Sequence, residues 1–187
     1  MKASLLLSSL VLLAGLTGCQ QSAPPPSAGP AFKPVASLQD LMVAVIDPAA
    51  DALWDSVGSE TTKAGVVERQ PRSDDDWQAL RKQAVTLVES ANLLRVPQRP
   101  VTLAGAKVED AHVAGVLSAE AIQLAIDRDR PAFEVQVANF QTVAGKLLKA
   151  VDDKSVPGLL EAGGHLQEAC ESCHARYWYP HARRPGS

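Results

Sequence analysis

Trp77, Leu80, Ala84, Leu87, Ala91 and Leu94 follow one another at alternating steps of three and four without a miss. Such steps return to one face of a helix with 3.6 residues per turn, so the stretch carries a single apolar stripe that another element must cover. Ser73, with Asp76 three residues on, marks its start, and Pro97 its end. The same spacing recurs in three further segments. Ser37 with Asp40 precedes Leu38, Met42, Ile46, Ala49 and Leu53, and Pro48 is expected to kink or restart that helix. From roughly Ser118 to Val151 run Ile122, Ile126, Phe133, Val137, Phe140, Ala144, Leu147 and Val151, with a kink expected at Pro131. From Ser155 or Val156 to about Trp178 one face holds Leu159, Gly163, Leu166, Cys170, Cys173 and Tyr177. Four one-faced helices in a chain of 187 residues predict an all-α fold, an antiparallel four-helix bundle. Aromatic residues at only 4% favour helices over sheets as well. The connections 58–72 and 96–117 are long for a bundle, and Gly105 and Gly115 predict irregular structure in the second. No internal repeat or second linker divides the chain.

Lys and Arg total 18 against 21 Asp and Glu, a net charge of −3 with no basic block, which excludes a nucleic-acid partner. The amino end has a different character. After Lys2, the run Ala3–Gly18 is apolar or small apart from Ser4, Ser8, Ser9 and Thr17. It falls short of the ~20 residues that span a bilayer. Residues 1–18 therefore read as an export signal, stopping at Cys19. Residues 19–36, with five prolines between Gln20 and Pro34, read as an extended tether. The folded domain is expected over 37–181, followed by a tail at 182–187.

Cys170-Glu171-Ser172-Cys173-His174 is a C-x-x-C-H of the kind that attaches c-type haem. Residues three and four apart share a helix face. Cys170 and Cys173 can thus each add a sulfur to a haem vinyl while His174 offers its imidazole to the iron, all from the last helix. A Cys170–Cys173 disulfide would leave His174 without a task. A zinc site would need a fourth ligand, for which His165 and His181 are near in sequence, but no second C-x-x-C exists. No nucleophile and base pair, phosphate loop or carboxylate constellation stands out, so no enzyme activity is expected. Trp54, Trp77, Phe133 and Phe140 are expected to pack the core or the haem.

An exported chain with four helical segments and C-x-x-C-H in the last of them resembles the cytochrome c′ and cytochrome c556 family over roughly Ser37–Pro180. Leu16-Thr17-Gly18-Cys19 resembles the lipobox of bacterial lipoproteins. The first resemblance implies one covalently attached haem c inside one end of the bundle, with His174 on one face and the first helix approaching the other. LQDLMVAVIDPAADALWDSVG places Met42 where low-spin c556-type members carry a methionine, which makes Met42 the expected distal iron ligand. Trp178 stands where many five-coordinate members have a basic residue, with Arg176 two places after His174. His165 lies on the proximal helix, and His112 and His181 are expected at the surface. The lipobox implies lipidation of Cys19 and a membrane anchor facing the periplasm, and Gln20 after it favours the outer membrane. The function so implied is single-electron transfer with redox partner proteins through a His/Met-ligated haem. The alternative is a five-coordinate haem protein that binds or senses nitric oxide or carbon monoxide, with Met42 only packing. A homodimer is compatible with either.

Overall fold

The computed structural model describes residues 32–180. The signal segment, Cys19, most of the tether, His181 and the tail lie outside the described residues. Ser37 opens the first helical segment with a capping box: its hydroxyl accepts from the Asp40 N–H, and the Asp40 carboxylate accepts from the Ser37 N–H. The segment then divides into α1 (Leu38–Leu41), a π-helical stretch (Met42–Ile46) and α2 (Asp47–Trp54). Pro48 is the cause. It has no N–H to give to the carbonyl of Ala44, and its ring crowds that carbonyl. The chain widens one turn ahead, where the Asp47 N–H reaches back five residues to Met42 O, and restarts with Pro48 in the first turn of α2, where no donor is required. The expected discontinuity is therefore present, but it lies before the proline, beginning at Met42.

α3 (Asp74–Leu94) begins at Ser73 with the expected capping box to Asp76, and α6 (Val156–Tyr177) begins at Ser155, whose hydroxyl accepts from the Gly158 N–H. The third segment is two helices rather than one kinked helix. α4 (Ala119–Arg128) and α5 (Arg130–Asp152) are separated by Asp129, at φ −141° and ψ 64°, whose carboxylate accepts from the Ala132 N–H. Pro131 sits in the first turn of α5. It cannot continue a hydrogen-bond ladder from α4, so the chain breaks and recaps two residues earlier.

The fold is mostly helical, in keeping with the all-α expectation, with one small sheet besides. The connection after α2 forms an antiparallel hairpin, β1 (Gly58–Thr62) with β2 (Gly65–Arg69), exposed along nearly its whole length. It is the one sheet among the described residues. The connection 96–117 carries no regular element, as expected, and Gly105 and Gly115 take positive φ values of 80° and 96°, which glycine adopts without a Cβ clash. α5 lies between α3 and α6, and α2 touches both α3 and α6. Their stripes meet in a core where Ala84, Leu87, Ala144 and Leu166 are fully enclosed and Leu147 and Leu159 nearly so. Among the described residues no helix is long and apolar enough to cross a membrane.

Candidate functional site

Cys170, Cys173 and His174 lie in the last two turns of α6, half-buried, on the side that packs against the core. Both thiols are free. Burial pushes each up to about 11, helped at Cys170 by the Asp47 carboxylate and at Cys173 by Cys170. The thiols are therefore protonated at neutral pH. Burial pushes the His174 imidazole the other way, below its ordinary value, so the ring is neutral and keeps a lone pair for a metal. Trp178 and Tyr179 meet that ring edge-on, at centroid distances of 5.2 and 6.2 Å.

Met42, on a different element, faces the same space. Two neighbouring clefts, of about 690 and 960 Å³ and partly open to solvent, share Leu38, Met42, Asp47, Phe133, Cys173 and His174 in their walls. The first extends past Tyr177 and Trp178 towards α4 and the 96–117 connection, the second past Cys170, Trp54 and Phe140. The linings are mainly apolar. Among the described residues no lysine or arginine faces either cleft, and the acidic side chains there are Asp47 and Glu109. Partial desolvation, with Asp51 and Glu109 nearby, raises the carboxyl of Asp47 above its usual range although the residue as a whole stays exposed. A donor in the first cleft's wall, Trp178 Nε1, is enclosed without a hydrogen-bond partner among the described residues. An unsatisfied buried donor costs about 1–3 kcal/mol, so the wall is polar where nothing answers it.

The 96–117 connection helps hold the segment that carries Met42, which no sequence pattern indicates. The first free N–H groups of α1 donate into the 96–117 connection, Leu38 to Pro100 O at 2.8 Å and Gln39 to Val101 O at 3.0 Å. The Gln39 side chain donates to Lys107 O and accepts from the Glu109 N–H. This connection thereby forms one wall of the cleft, with Val101 and Val108 buried. No periodicity announces such pairing. Asp47 was also missed, although a carboxylate directly before Pro48 on a largely apolar segment was a signal to be read.

The remaining candidates are dispersed. His165 is exposed on α6, beside Glu161 and Glu168, and His112 is exposed in the 96–117 connection. Cys19 and His181 lie outside the described residues. Among the described residues no group of three or more His, Cys, Asp or Glu is arranged to hold a metal ion, so the zinc alternative finds no ligand set there. Trp77 packs in the core, Phe133 and Phe140 line the clefts, and Trp54 ties α2 to α6 through Nε1 to Gly163 O at 3.0 Å. A Cβ at Gly163 would lie 3.3 Å from the Trp54 ring, which accounts for a glycine in the apolar stripe. The chain matches no model of a known protein family, no curated protein and no solved structure.

Proposed function

We propose that the chain is a c-type cytochrome of four-helix-bundle architecture, lipid-anchored through Cys19 on the periplasmic side, that transfers single electrons to and from partner proteins. The observation that carries this reading is the meeting of Met42 with Cys170, Cys173 and His174 around one apolar cleft, from segments more than a hundred residues apart. The residues fit haem c. Two free thiols and a neutral imidazole occupy adjacent turns, and the enclosed Trp178 Nε1, without a partner among the described residues, lines the same space. The ring of contacts among α2, α3, α5 and α6 supports the bundle.

Haem c, when bound, supplies a one-electron iron couple. The chain's residues do the rest. Cys170 and Cys173 would hold the group through thioether links, which would prevent its exchange with the surroundings. His174 and Met42 would supply the imidazole and the thioether that hold the iron, and the soft, uncharged thioether of Met42 would favour the reduced state and raise the potential. The apolar side chains of Leu38, Phe133, Phe140 and Ile126 would shield a group held there from part of the solvent, which would lower the local dielectric. The carboxylates of Asp47 and Glu109 work against Met42 by favouring the oxidised, more positive state.

The test is an optical spectrum of the purified protein and of Met42→Ala. The ferric wild type is expected to be six-coordinate and low-spin, with a weak sulfur-to-iron charge-transfer band. Met42→Ala is expected to lose that band, become high-spin and take up carbon monoxide readily when reduced. A wild type that is already high-spin and binds carbon monoxide without delay transfers the reading to gas binding, with Met42 as packing.

A further inference from the structure

Arg99 is 8% exposed and has no carboxylate partner among the described residues. Carbonyls serve instead. Nε donates to Leu93 O at 3.0 Å, and Nη1 donates to Ala36 O at 2.5 Å. Leu93 belongs to the last turn of α3, whose carbonyls lack helical partners and carry the negative end of the macrodipole, a fitting place for a buried cation. Ala36 directly precedes Ser37, the enclosed cap of α1. The residues after Arg99 complete the hold, since Pro100 and Val101 accept from the Leu38 and Gln39 N–H groups. The lead-in to α1 is therefore gripped from two sides, by the Arg99 side chain and by the backbone that follows it.

What this grip controls is Met42. Beyond Leu41 the regular ladder gives way to the π-helical stretch, so the register at Met42 is not enforced by an α-helix continuing on both sides. Its place in the cleft depends on the anchored side. We infer that Arg99 is a positioning residue for Met42: by fastening Ala36 to the end of α3, it fixes the start of the first helical segment and hence the approach of the Met42 sulfur to the cleft. The inference rests on the His/Met reading above. It adds a residue that touches neither cleft but sets how fully the sixth position is filled. The planar fork of arginine serves two carbonyls at once, whereas the point charge of lysine serves them less well and methionine serves neither.

The experiment uses the haem-loaded protein with Arg99→Met and Arg99→Lys. The intensity of the sulfur-to-iron band and the rate of carbon monoxide binding to the reduced protein are read beside far-UV circular dichroism and the melting temperature. Arg99→Met is expected to keep its helix content, lose more than half of the band and bind carbon monoxide at least about tenfold faster, with Arg99→Lys between it and wild type. Full band intensity in both variants, with only a lower melting temperature, overturns the inference and leaves Arg99 a structural residue. If Arg99→Met fails to fold, Arg99→Lys decides by the same criterion. A wild type without the band refutes the His/Met reading before any variant is made, so the two failures are distinct.

Discussion

The helices are built differently at their two ends. Where the middle of α3 meets the end of α5 and the first half of α6, Ala84, Leu87, Leu147, Leu159 and Leu166 are sealed at 2% exposure or less. Where the end of α6 meets α1 and the 96–117 connection, Met42, Cys170, Cys173 and His174 stay half-buried around open clefts. Small and branched side chains interlock at the first end. At the second, aromatic rings, thiols and a thioether line the clefts. The difference teaches that one end supplies stability and the other offers a site, and that substitutions should affect the two separately.

The largest effect on folding is expected at the sealed end. Leu147→Ala removes a side chain at 1% exposure and should lower the unfolding free energy by about 2–5 kcal/mol, measured by denaturant titration. The optical spectrum of the folded fraction should not change. A spectrum altered as strongly as by Met42→Ala would show that the ends are coupled and break the comparison.

A smaller effect separates the charges at the cleft from those at the caps. Asp40 is held below the ordinary carboxylate range by the Ser37 backbone and hydroxyl, and Asp76 by the N–H groups of Arg72 and Ser73 and the Ser73 hydroxyl. Because the unfolded chain binds these protons more readily, the stability the caps contribute is present above the ordinary range and lost as pH falls through their folded values. Asp47 runs the opposite way. Its raised carboxyl gives stability that is present at acid pH and lost as pH rises through its folded value. Asp47→Asn is therefore expected to raise the melting temperature at pH 7 more than at pH 4, and Asp40→Asn to lower it at pH 7 with little effect below the carboxylate range. Equal responses of the two variants at all pH values would remove the distinction.

The sealed end was also the readable one. α3 and α6 follow from apolar steps and from Ser73 and Ser155, because a buried stripe writes its period into the sequence. The hairpin over 58–69 was not readable. Its residues are exposed on both faces, so no alternation of apolar and polar residues marks the strands. Pro48 and Pro131 announced discontinuities but not their form, since the π-helical stretch and the recapping at Asp129 depend on how the preceding turn yields. At the cleft, C-x-x-C-H and Met42 could be singled out by their chemistry. The clasp of Arg99 and the binding of Gln39 to Lys107 and Glu109 join residues 63 to 70 apart through backbone groups, which side-chain patterns do not encode.

Covalent attachment tests the central claim most directly. The mature protein, denatured and extracted with acidified organic solvent, should keep its haem with the polypeptide and give the pyridine haemochrome spectrum of a group bound through two thioethers. Replacing Cys170 and Cys173 together by serine should abolish that retention. Haem released entirely into the solvent phase, the absence of haem in protein made alongside a working attachment machinery, or haem still held covalently by the double variant would contradict it.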